Sequence, residues 1–285
     1  MPPSVSGMSK ELTPSESKIA SSNEKEMSFL DHLEELRWHI IRAVAAVFVI
    51  GIAIFVLRNP VFDIILGPSK ADFPTYKFLC SLSEITCMTP ANFQLLPREM
   101  GEQFFTHIKM SIWIGFIISF PYVFWEFWRF IKPGLYKHEQ KAARGIVAAC
   151  SFLFICGVLF GYFIISPFAI TFLMGYQVSP DVTTAPTLAS YINYMTMLTI
   201  PTGIIFLLPI VVYFLAKVGL ISSAFMKKYR KHAFVIVFIL AAVITPPDVL
   251  TQVLIGIPIY ILYEFSIHLA KRIEKQRAKE EAKEA

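Results

Sequence analysis

Long apolar stretches separated by short polar segments are the main feature of this 285-residue chain. Four of them lie at about residues 38–57, 108–128, 145–176 and 188–216. Each is as long as, or longer than, the roughly 20 residues that a helix needs to cross a bilayer. The third contains 32 residues without a formal charge, so its helix is expected to project beyond the bilayer. Each stretch therefore predicts one membrane-spanning helix.

Two shorter apolar stretches follow, with 13 residues at 233–245 and 15 residues at 249–263. The prolines between them cannot continue a helix and predict a tight turn. Thirteen helical residues rise only about 20 Å, whereas the hydrocarbon core of a bilayer is about 30 Å thick. We expect a hairpin of two short helices across a locally thinned bilayer. The alternative is a pair of helices buried within the protein and away from lipid.

Prolines inside the longer stretches predict distortions of their helices. A proline cannot donate the backbone hydrogen bond of a regular helix, and its ring clashes with the preceding turn. Pro121 is therefore expected to kink the second helix, and Pro201 and Pro209 are expected to bend the fourth.

The composition is that of a membrane protein. Hydrophobic residues make up 55% of the chain and charged residues only 16%, whereas about a quarter of a typical soluble domain is charged. Disordered chains, collagen-like repeats, coiled coils and small disulfide-stabilised domains are excluded. Because lipid offers the backbone no hydrogen bonds, the spans must be helices. The predicted fold class is an all-α polytopic membrane protein with six transmembrane helices.

Lysine and arginine are concentrated in four segments, which together carry 21 of the 26 such residues: 1–42, 129–144, 217–231 and 271–285. These segments alternate with the outer loops, so all four lie on one side of the membrane. The positive-inside rule places that side, with both termini, in the cytoplasm. Topology and anionic lipid account for the net charge of +5, so no nucleic-acid partner is predicted.

The chain divides into three parts. Residues 1–27 are polar and lack the apolar segment of a secretory signal, so a disordered cytoplasmic tail is predicted. Residues 28–270 form the six-helix membrane domain, in which a short amphipathic helix from Ser28 precedes the first span and 58–107 form a long polar outer loop. Residues 271–285 are predicted to be a charged cytoplasmic tail.

The four cysteines fall into two groups. Cys80 and Cys87 lie seven positions apart in the first outer loop, which faces an oxidising compartment, so a disulfide is expected; two free thiols are the alternative. Cys150 and Cys156 lie within the third stretch and are expected to act as small packing residues. The spacing of histidines and cysteines does not suit a four-ligand metal site, so neither a metal nor a cofactor is predicted.

Enzyme motifs are missing from the sequence. There is no His-Glu-x-x-His, no Gly-x-Ser-x-Gly and no glycine-rich phosphate loop. Glu126 and Glu264 are the only acids within the spans, and each lies close to a cytoplasmic end, where an isolated acid can reach the interface. The sequence therefore predicts no catalytic residues.

Two acids outside the spans are better candidates for chemistry. Glu35 precedes the first span and Glu139 follows the second, so both must lie at the same membrane surface. Carboxylates there suit a guanidinium ligand, whose planar fork binds them in bidentate fashion as lysine cannot. From spacing alone, internal pairing with Arg37, Lys137 or Lys141 is the stronger alternative.

Four motifs lie at the membrane boundaries: FLDHLEELR (29–37), FFT (104–106), WRFIKPGLYKHE (128–139) and TPPDV (245–249). With these motifs and six apolar stretches, the chain resembles the TatC family, the receptor subunits of twin-arginine protein translocases. The resemblance covers about residues 28–270. It implies six helices in a concave, glove-like arrangement that recognises folded precursor proteins bearing an Arg-Arg signal peptide.

The resemblance also assigns roles to individual positions, and it reverses the balance that spacing alone gave for the acids. Glu35 and Glu139 match the glutamates of the family's signal-peptide site. The remaining positions are signal-peptide candidates (Arg37, Phe130 and His138) and structural or partner-related candidates (Pro68, Pro133 and Asp248).

Partners and energy source follow from the same resemblance. The fifth and sixth helices are expected to dock small single-span subunits of the TatA/TatB type, and oligomers of receptor complexes are expected in the lipid of the bacterial cytoplasmic (inner) membrane. Transport in this family is driven by the proton-motive force without nucleotide, which agrees with the missing phosphate loop.

One position departs from the family pattern. The family usually has Glu or Gln in the fourth span just before a proline, and alignment on Pro209 places Leu207 there. Thr199 or Thr202 would replace that polar group only if its side chain points into the concavity.

A small-solute secondary transporter or channel is the alternative function. It requires ionisable groups near the bilayer midplane, which this sequence almost lacks. The polar residues of the fourth stretch recur every three positions, and since a helix has 3.6 residues per turn they spiral around it rather than line a channel: Asn193, Thr196, Thr199 and Thr202. A purely structural membrane scaffold is a third possibility.

Overall fold

The computed structural model describes residues 29–284, apart from gaps at 85–86, 89, 91–92, 132–142, 177–178, 180, 182–184 and 245–248. The N-terminal segment predicted to be disordered lies outside the described residues. Within the described ranges the regular structure is helical, with an isolated β-bridge between Leu96 and Thr187. Five helical segments in these ranges are long and apolar enough to cross a membrane. The predicted all-α polytopic fold class is confirmed.

The first two spans are single long helices, α1 (Phe29–Val56) and α4 (Glu102–Ile131), which pack against each other along their lengths. Both begin earlier than the apolar pattern predicted, and α1 includes the expected amphipathic segment. The helices approach closely where Gly51 meets Gly115, since a Cβ atom on Gly115 would lie 2.9 Å from the Cα of Gly51. The absence of side chains at this crossing lets the two backbones touch.

The third span consists of α5 (Ala143–Phe160), a π-helical turn (Gly161–Ile165) and α6 (Ser166–Gly175). The π turn lies just before Pro167, which has no N–H to donate to the carbonyl of Phe163. The span therefore changes its winding without ending.

The fourth span consists of α7 (Leu188–Ile205) and α8 (Leu208–Val218), separated by two residues in a turn. The break lies where Pro209 cannot donate to the Ile205 carbonyl, so the predicted effect of this proline is confirmed. By contrast, α7 continues through Pro201 as one helix.

The last two apolar stretches differ in helix length. The helix α10 (Arg230–Ile244) has 15 residues, whereas α11 (Val249–Glu284) has 36. This corrects the expected length of the last helix, which continues into the charged C-terminal segment as far as Glu284. Alanine, lysine, glutamate and arginine favour helix even where hydropathy gives no signal. In addition, both carboxylate oxygens of Glu274 accept hydrogen bonds from Ser223, in the short helix α9 (Ser223–Lys228).

The segment predicted to be a long polar outer loop contains regular structure. It forms α2 (Arg58–Ile65), a 3₁₀ turn (Gly67–Ser69) and α3 (Pro74–Leu82). A disulfide joins Cys80 at the end of α3 to Cys87. We call residues 58–101 the Tyr76 cap, because Tyr76 is their most deeply buried aromatic side chain.

Hydrogen bonds attach the Tyr76 cap to the third span. The Tyr76 hydroxyl lies 2.9 Å from the carbonyl oxygen of Pro68, within the cap, and 3.2 Å from that of Pro167, in α6. The Thr75 hydroxyl donates to the Phe163 carbonyl at 2.5 Å, which satisfies the acceptor left open by Pro167. The cap is thus tied to the backbone of a span that lies about 90 residues away in sequence.

Candidate functional site

Glu35 lies at the opposite end of α1 from the Tyr76 cap. Its side chain is 40% exposed, and its Oε1 lies 3.9 Å from Nε2 of His39, one turn along the same helix. That distance is too long for a hydrogen bond, so this contact does not lock the carboxylate. Pairing with Arg37 gains no support, because positions two apart on a helix do not face each other. Lys137 and Lys141, its other predicted partners, lie outside the described residues.

Beneath Glu35 lies a buried polar cluster that joins α1 to α4. The side chains of His39 and Glu126 are 7% and 2% exposed, and Nδ1 of His39 lies 2.5 Å from Oε2 of Glu126. The Tyr122 hydroxyl donates to the other oxygen, Oε1, at 2.9 Å. A hydrogen bond thus joins the imidazole of His39 to the buried carboxylate of Glu126. The imidazole ring is thereby fixed in orientation.

Phe130 completes this group. It follows Glu126 by one turn of α4, and its ring lies edge-on to the imidazole of His39 at 6.3 Å between centroids. Two predicted site residues, Glu35 and Phe130, therefore flank the same histidine although they are distant in sequence. We call Glu35, His39, Tyr122, Glu126 and Phe130 the Glu35 site.

Exposed cations surround the Glu35 site. Arg42 on α1 and Arg129 on α4 are both near enough to Tyr122 to interact electrostatically with it. The guanidinium of Arg129 also lies 5.6 Å from the ring centroid of Trp125, an arrangement that holds a cation over an aromatic face. The site thus combines one accessible carboxylate with aromatic rings and exposed basic side chains.

Pro68, another predicted position, belongs to the other end of the molecule. It is buried in the 3₁₀ turn of the Tyr76 cap, where its carbonyl accepts the Tyr76 hydroxyl. Burial raises the pKa of Tyr76, so this phenol stays protonated and able to donate. Pro68 therefore does not contribute to the Glu35 site.

Comparison with known proteins identifies the family. Residues 31–258 match the family model of the Sec-independent protein translocase protein TatC. The chain belongs to the TatC family. It is thus a multi-pass membrane protein of a protein-translocase family.

Relatives and solved structures match this chain over most of its length. The TatC protein of Blattabacterium sp. subsp. Periplaneta americana (strain BPLAN) is 43% identical, with 90% of this chain and 99% of that protein covered. TatC of Aquifex aeolicus (strain VF5) is 37% identical, with coverages of 88% and 98%. A crystal structure described as the twin arginine translocase receptor TatC is 35% identical, with a TM-score of 0.68 and coverages of 85% and 99%. These likenesses support the receptor interpretation over a small-solute transporter.

Four positions that the TatC resemblance singled out lie outside the described residues: Pro133, His138, Glu139 and Asp248. The first three belong to the segment 132–142, which connects the end of α4 to the start of α5. Phe130 is one residue from the end of α4, so the described part of this helix ends beside the Glu35 site.

Leu207 occupies the position in the fourth span where the family resemblance predicts a Glu or Gln. Leu207 packs against the aromatic cluster of Phe120 and Phe154. The hydroxyls of Thr199 and Thr202 donate to backbone carbonyls one turn earlier on their own helix, at 2.8 and 2.6 Å. Since both threonines are buried and use their hydrogens locally, neither replaces the missing Glu or Gln.

Sequence reasoning missed His39 and the partners of the intramembrane acids. Glu126 and Glu264 were noticed only as acids near span ends; Glu126 bonds to His39, and Glu264 accepts from Arg230 at 2.6 Å. The signal for His39 was its position one turn after Glu35. No local pattern points to Glu126 as its partner, since the two residues are 87 positions apart.

Glu102 was also missed. Its carboxylate accepts backbone N–H bonds from Arg98 at 2.5 Å, Glu99 at 3.3 Å and Ala189 at 2.7 Å. It thereby joins the start of α4 to the end of the Tyr76 cap and to the first turn of α7. Its position in the first turn of a helix, where an acid is favoured, was the available signal.

Proposed function

We propose that this chain is the receptor subunit of a twin-arginine translocase, which binds the Arg-Arg signal peptides of folded precursor proteins and nucleates their export. Glu35 and Glu139 bind the two guanidinium groups, with Phe130, Arg37 and His138 around them. Membership of the TatC family is the observation that carries this proposal. The half-exposed carboxylate of Glu35, which lacks a close internal partner among the described residues, supports it.

The energetics assign different tasks to the acids and to the apolar surface. An exposed ion pair contributes only about 0.2–1 kcal/mol, so two such pairs do not produce tight binding. A bidentate hydrogen bond to a partly desolvated carboxylate is stronger, at about 1.5–3 kcal/mol. Burial of the signal's apolar segment, at about 25 cal/mol per Å², supplies much of the remainder. The acids therefore discriminate Arg-Arg from Lys-Lys more than they set the overall affinity.

An apolar cleft offers a place for that segment. It has a volume of about 550 Å³, lies between the third, fourth and sixth spans, and starts at Gly145, shortly after the connection that contains Glu139. Leu153, Tyr213 and Phe265 are among its lining residues. An apolar peptide segment placed there would bury its side chains against these residues.

The cellular setting follows from the charge pattern and the family. We place the protein in the bacterial cytoplasmic membrane with both termini in the cytoplasm, because Lys and Arg are concentrated in the segments on that side. Small single-span TatA/TatB-type subunits bind at α10 and α11, and the proton-motive force drives transport. The chain acts as a receptor and scaffold, so the purified protein alone in energised vesicles is expected not to transport a folded precursor. Transport under those conditions would contradict this division of labour.

Photocrosslinking tests the two glutamates. We expect the double variant Glu35→Ala, Glu139→Ala to insert into the membrane and to lose crosslinking to a precursor with an Arg-Arg signal, because both guanidinium ligands are gone. Glu34→Ala is the matched control, since this neighbouring carboxylate is exposed and is not assigned to the site. A Lys-Lys precursor gives the background. Crosslinking that persists in the double variant at the level of the Glu34 control would refute the assignment.

A further inference from the structure

His39 touches two carboxylates that differ sharply in exposure. Its Nδ1 is bonded to the buried Glu126 at 2.5 Å, while its Nε2 lies 3.9 Å from the half-exposed Glu35. The two contacts use opposite edges of one ring. His39 therefore links a fixed buried acid on α4 to an accessible acid on α1.

The buried side of this link is fully bonded. Both oxygens of Glu126 are occupied, one by His39 and one by the Tyr122 hydroxyl. A buried carboxylate that lost these partners would be costly, so the ring of His39 is held in place from below. Its Nε2 edge consequently keeps a constant direction toward Glu35.

We propose that His39 is a positioning residue for Glu35, whose carboxylate it keeps on the side of α1 that faces Phe130, where a guanidinium binds. This inference rests on the proposed function, because it assumes that Glu35 binds the ligand. A glutamate side chain loses considerable rotamer freedom when it is fixed, and a nearby polar edge reduces that loss before the ligand arrives. At 3.9 Å the contact remains too loose to compete with a bidentate arginine.

Two substitutions separate the two edges of the ring. The amide nitrogen of a glutamine at position 39 reaches about as far as Nε2, and that of an asparagine about as far as Nδ1. His39→Gln therefore keeps an amide near Glu35 but loses the bond to Glu126, while His39→Asn retains only the bond to Glu126. We expect His39→Asn to lower the affinity for a fluorescent twin-arginine peptide about tenfold. We expect a smaller loss, of about threefold to fivefold, in His39→Gln, because its amide stays near Glu35 without the bond to Glu126 that fixes its direction.

The measurement is fluorescence anisotropy with the full-length protein in lipid nanodiscs, with a twin-lysine peptide alongside. Positioning also predicts that His39→Asn reduces the preference for arginine over lysine, since bidentate geometry depends most on carboxylate orientation. Equal losses in His39→Gln and His39→Asn, with unchanged preference, would overturn the proposal, because they would indicate a general packing role.

A double-variant cycle with Glu35→Gln is the decisive step. If His39 acts through Glu35, adding His39→Asn to Glu35→Gln changes the affinity by less than about twofold. Additive losses overturn the positioning role alone. Unchanged affinity in Glu35→Gln by itself overturns the proposed function, and the role of His39 with it.

Tyr122→Phe tests the same link without changing His39, so its result does not depend on whether the histidine variants fold. Tyr122 is exposed, and loss of its hydroxyl removes only one hydrogen bond from Glu126. We expect a loss of about twofold to threefold in the wild type and none in Glu35→Gln, since the effect must pass through His39. An equal loss in both backgrounds argues against the proposed link.

Discussion

The buried polar side chains at the two ends of the molecule have different kinds of hydrogen-bond partner. At the end that carries the Tyr76 cap, two buried polar side chains bond to backbone groups: Tyr76 contacts two carbonyls, and the carboxylate of Glu102, at the start of α4, accepts three N–H bonds. In the Glu35 site, the polar groups bond chiefly to other side chains. The outermost of them, Glu35, is left with a contact of 3.9 Å.

This difference suggests a division between rigidity and recognition. Bonds to backbone fix the path of the chain, so the Tyr76 cap sets how the spans are joined at one end. At the Glu35 site, bonds between side chains instead form a buried cluster and leave the carboxylate of Glu35 accessible above it. This arrangement suits reversible binding. The first span is also the least buried of the five long ones. In its most apolar stretch 11% of the residues are buried, compared with 28–33% in the other four. The end that we assign to binding is thus built on the least buried helix.

The largest expected effect comes from separating the two helices that carry the Glu35 site. Gly115→Leu places a side chain against the backbone of Gly51, 2.9 Å from its Cα, so the helices must move apart. We expect a loss of about 3 kcal/mol of stability, together with loss of twin-arginine peptide binding, because Glu126 would withdraw from His39. Thermal unfolding in detergent and peptide anisotropy measure the two losses.

Gly175→Leu is the matched control for that substitution, since a Cβ atom at Gly175 meets no other atom within 4 Å. If Gly115→Leu unfolds the protein less than Gly175→Leu, or binds peptide normally, the close contact of α1 and α4 does not support the site.

An intermediate effect is expected from the disulfide of the Tyr76 cap. Replacing Cys80 and Cys87 by serine opens a loop whose cysteines are seven positions apart. We expect about 2 kcal/mol of destabilisation from the increased freedom of the unfolded chain. Peptide affinity should not change, because the bond lies at the other end of the bundle. A tenfold loss of affinity in the serine variant would show that the two ends are coupled and would remove the distinction drawn above.

Hydropathy predicted the spans because a chain segment that faces lipid must be helical and carry apolar side chains. It did not predict where helices end, and α11 continues to Glu284 through charged residues that favour helix without being apolar. The helices of the Tyr76 cap were missed for a different reason. They are short, and they depend on contacts such as that between Tyr76 and Pro167, 91 positions apart.

The candidate site was partly predictable for similar reasons. Glu35 and Phe130 were found through motifs at the ends of the first two spans. Their common neighbour, His39, has no role that a local pattern reveals, since its main partner is on another helix. A pairing between distant polar residues follows from how two helices pack, and the register of that packing was set by a contact of small residues, Gly51 and Gly115.

The smallest effect expected is that of a single hydroxyl in the Tyr76 cap. Tyr76→Phe keeps the buried ring and removes the donor to Pro68 and Pro167. We expect about 1 kcal/mol of destabilisation and unchanged peptide affinity, because the phenol is one of several bonds that hold the cap.

The pH dependence tests whether the Tyr76 hydroxyl is buried as a neutral group. Burial raises the pKa of Tyr76 above its ordinary value, so the folded state favours the neutral phenol. The stability that it contributes is complete below about pH 10 and is lost as the pH rises through the higher folded pKa. Tyr76→Phe cannot ionise, so the difference in stability between wild type and variant should shrink in alkaline solution. A difference that stays constant between pH 8 and pH 11, on either side of the ordinary tyrosine pKa of about 10, would mean that the Tyr76 hydroxyl is not buried as a neutral group in the folded protein.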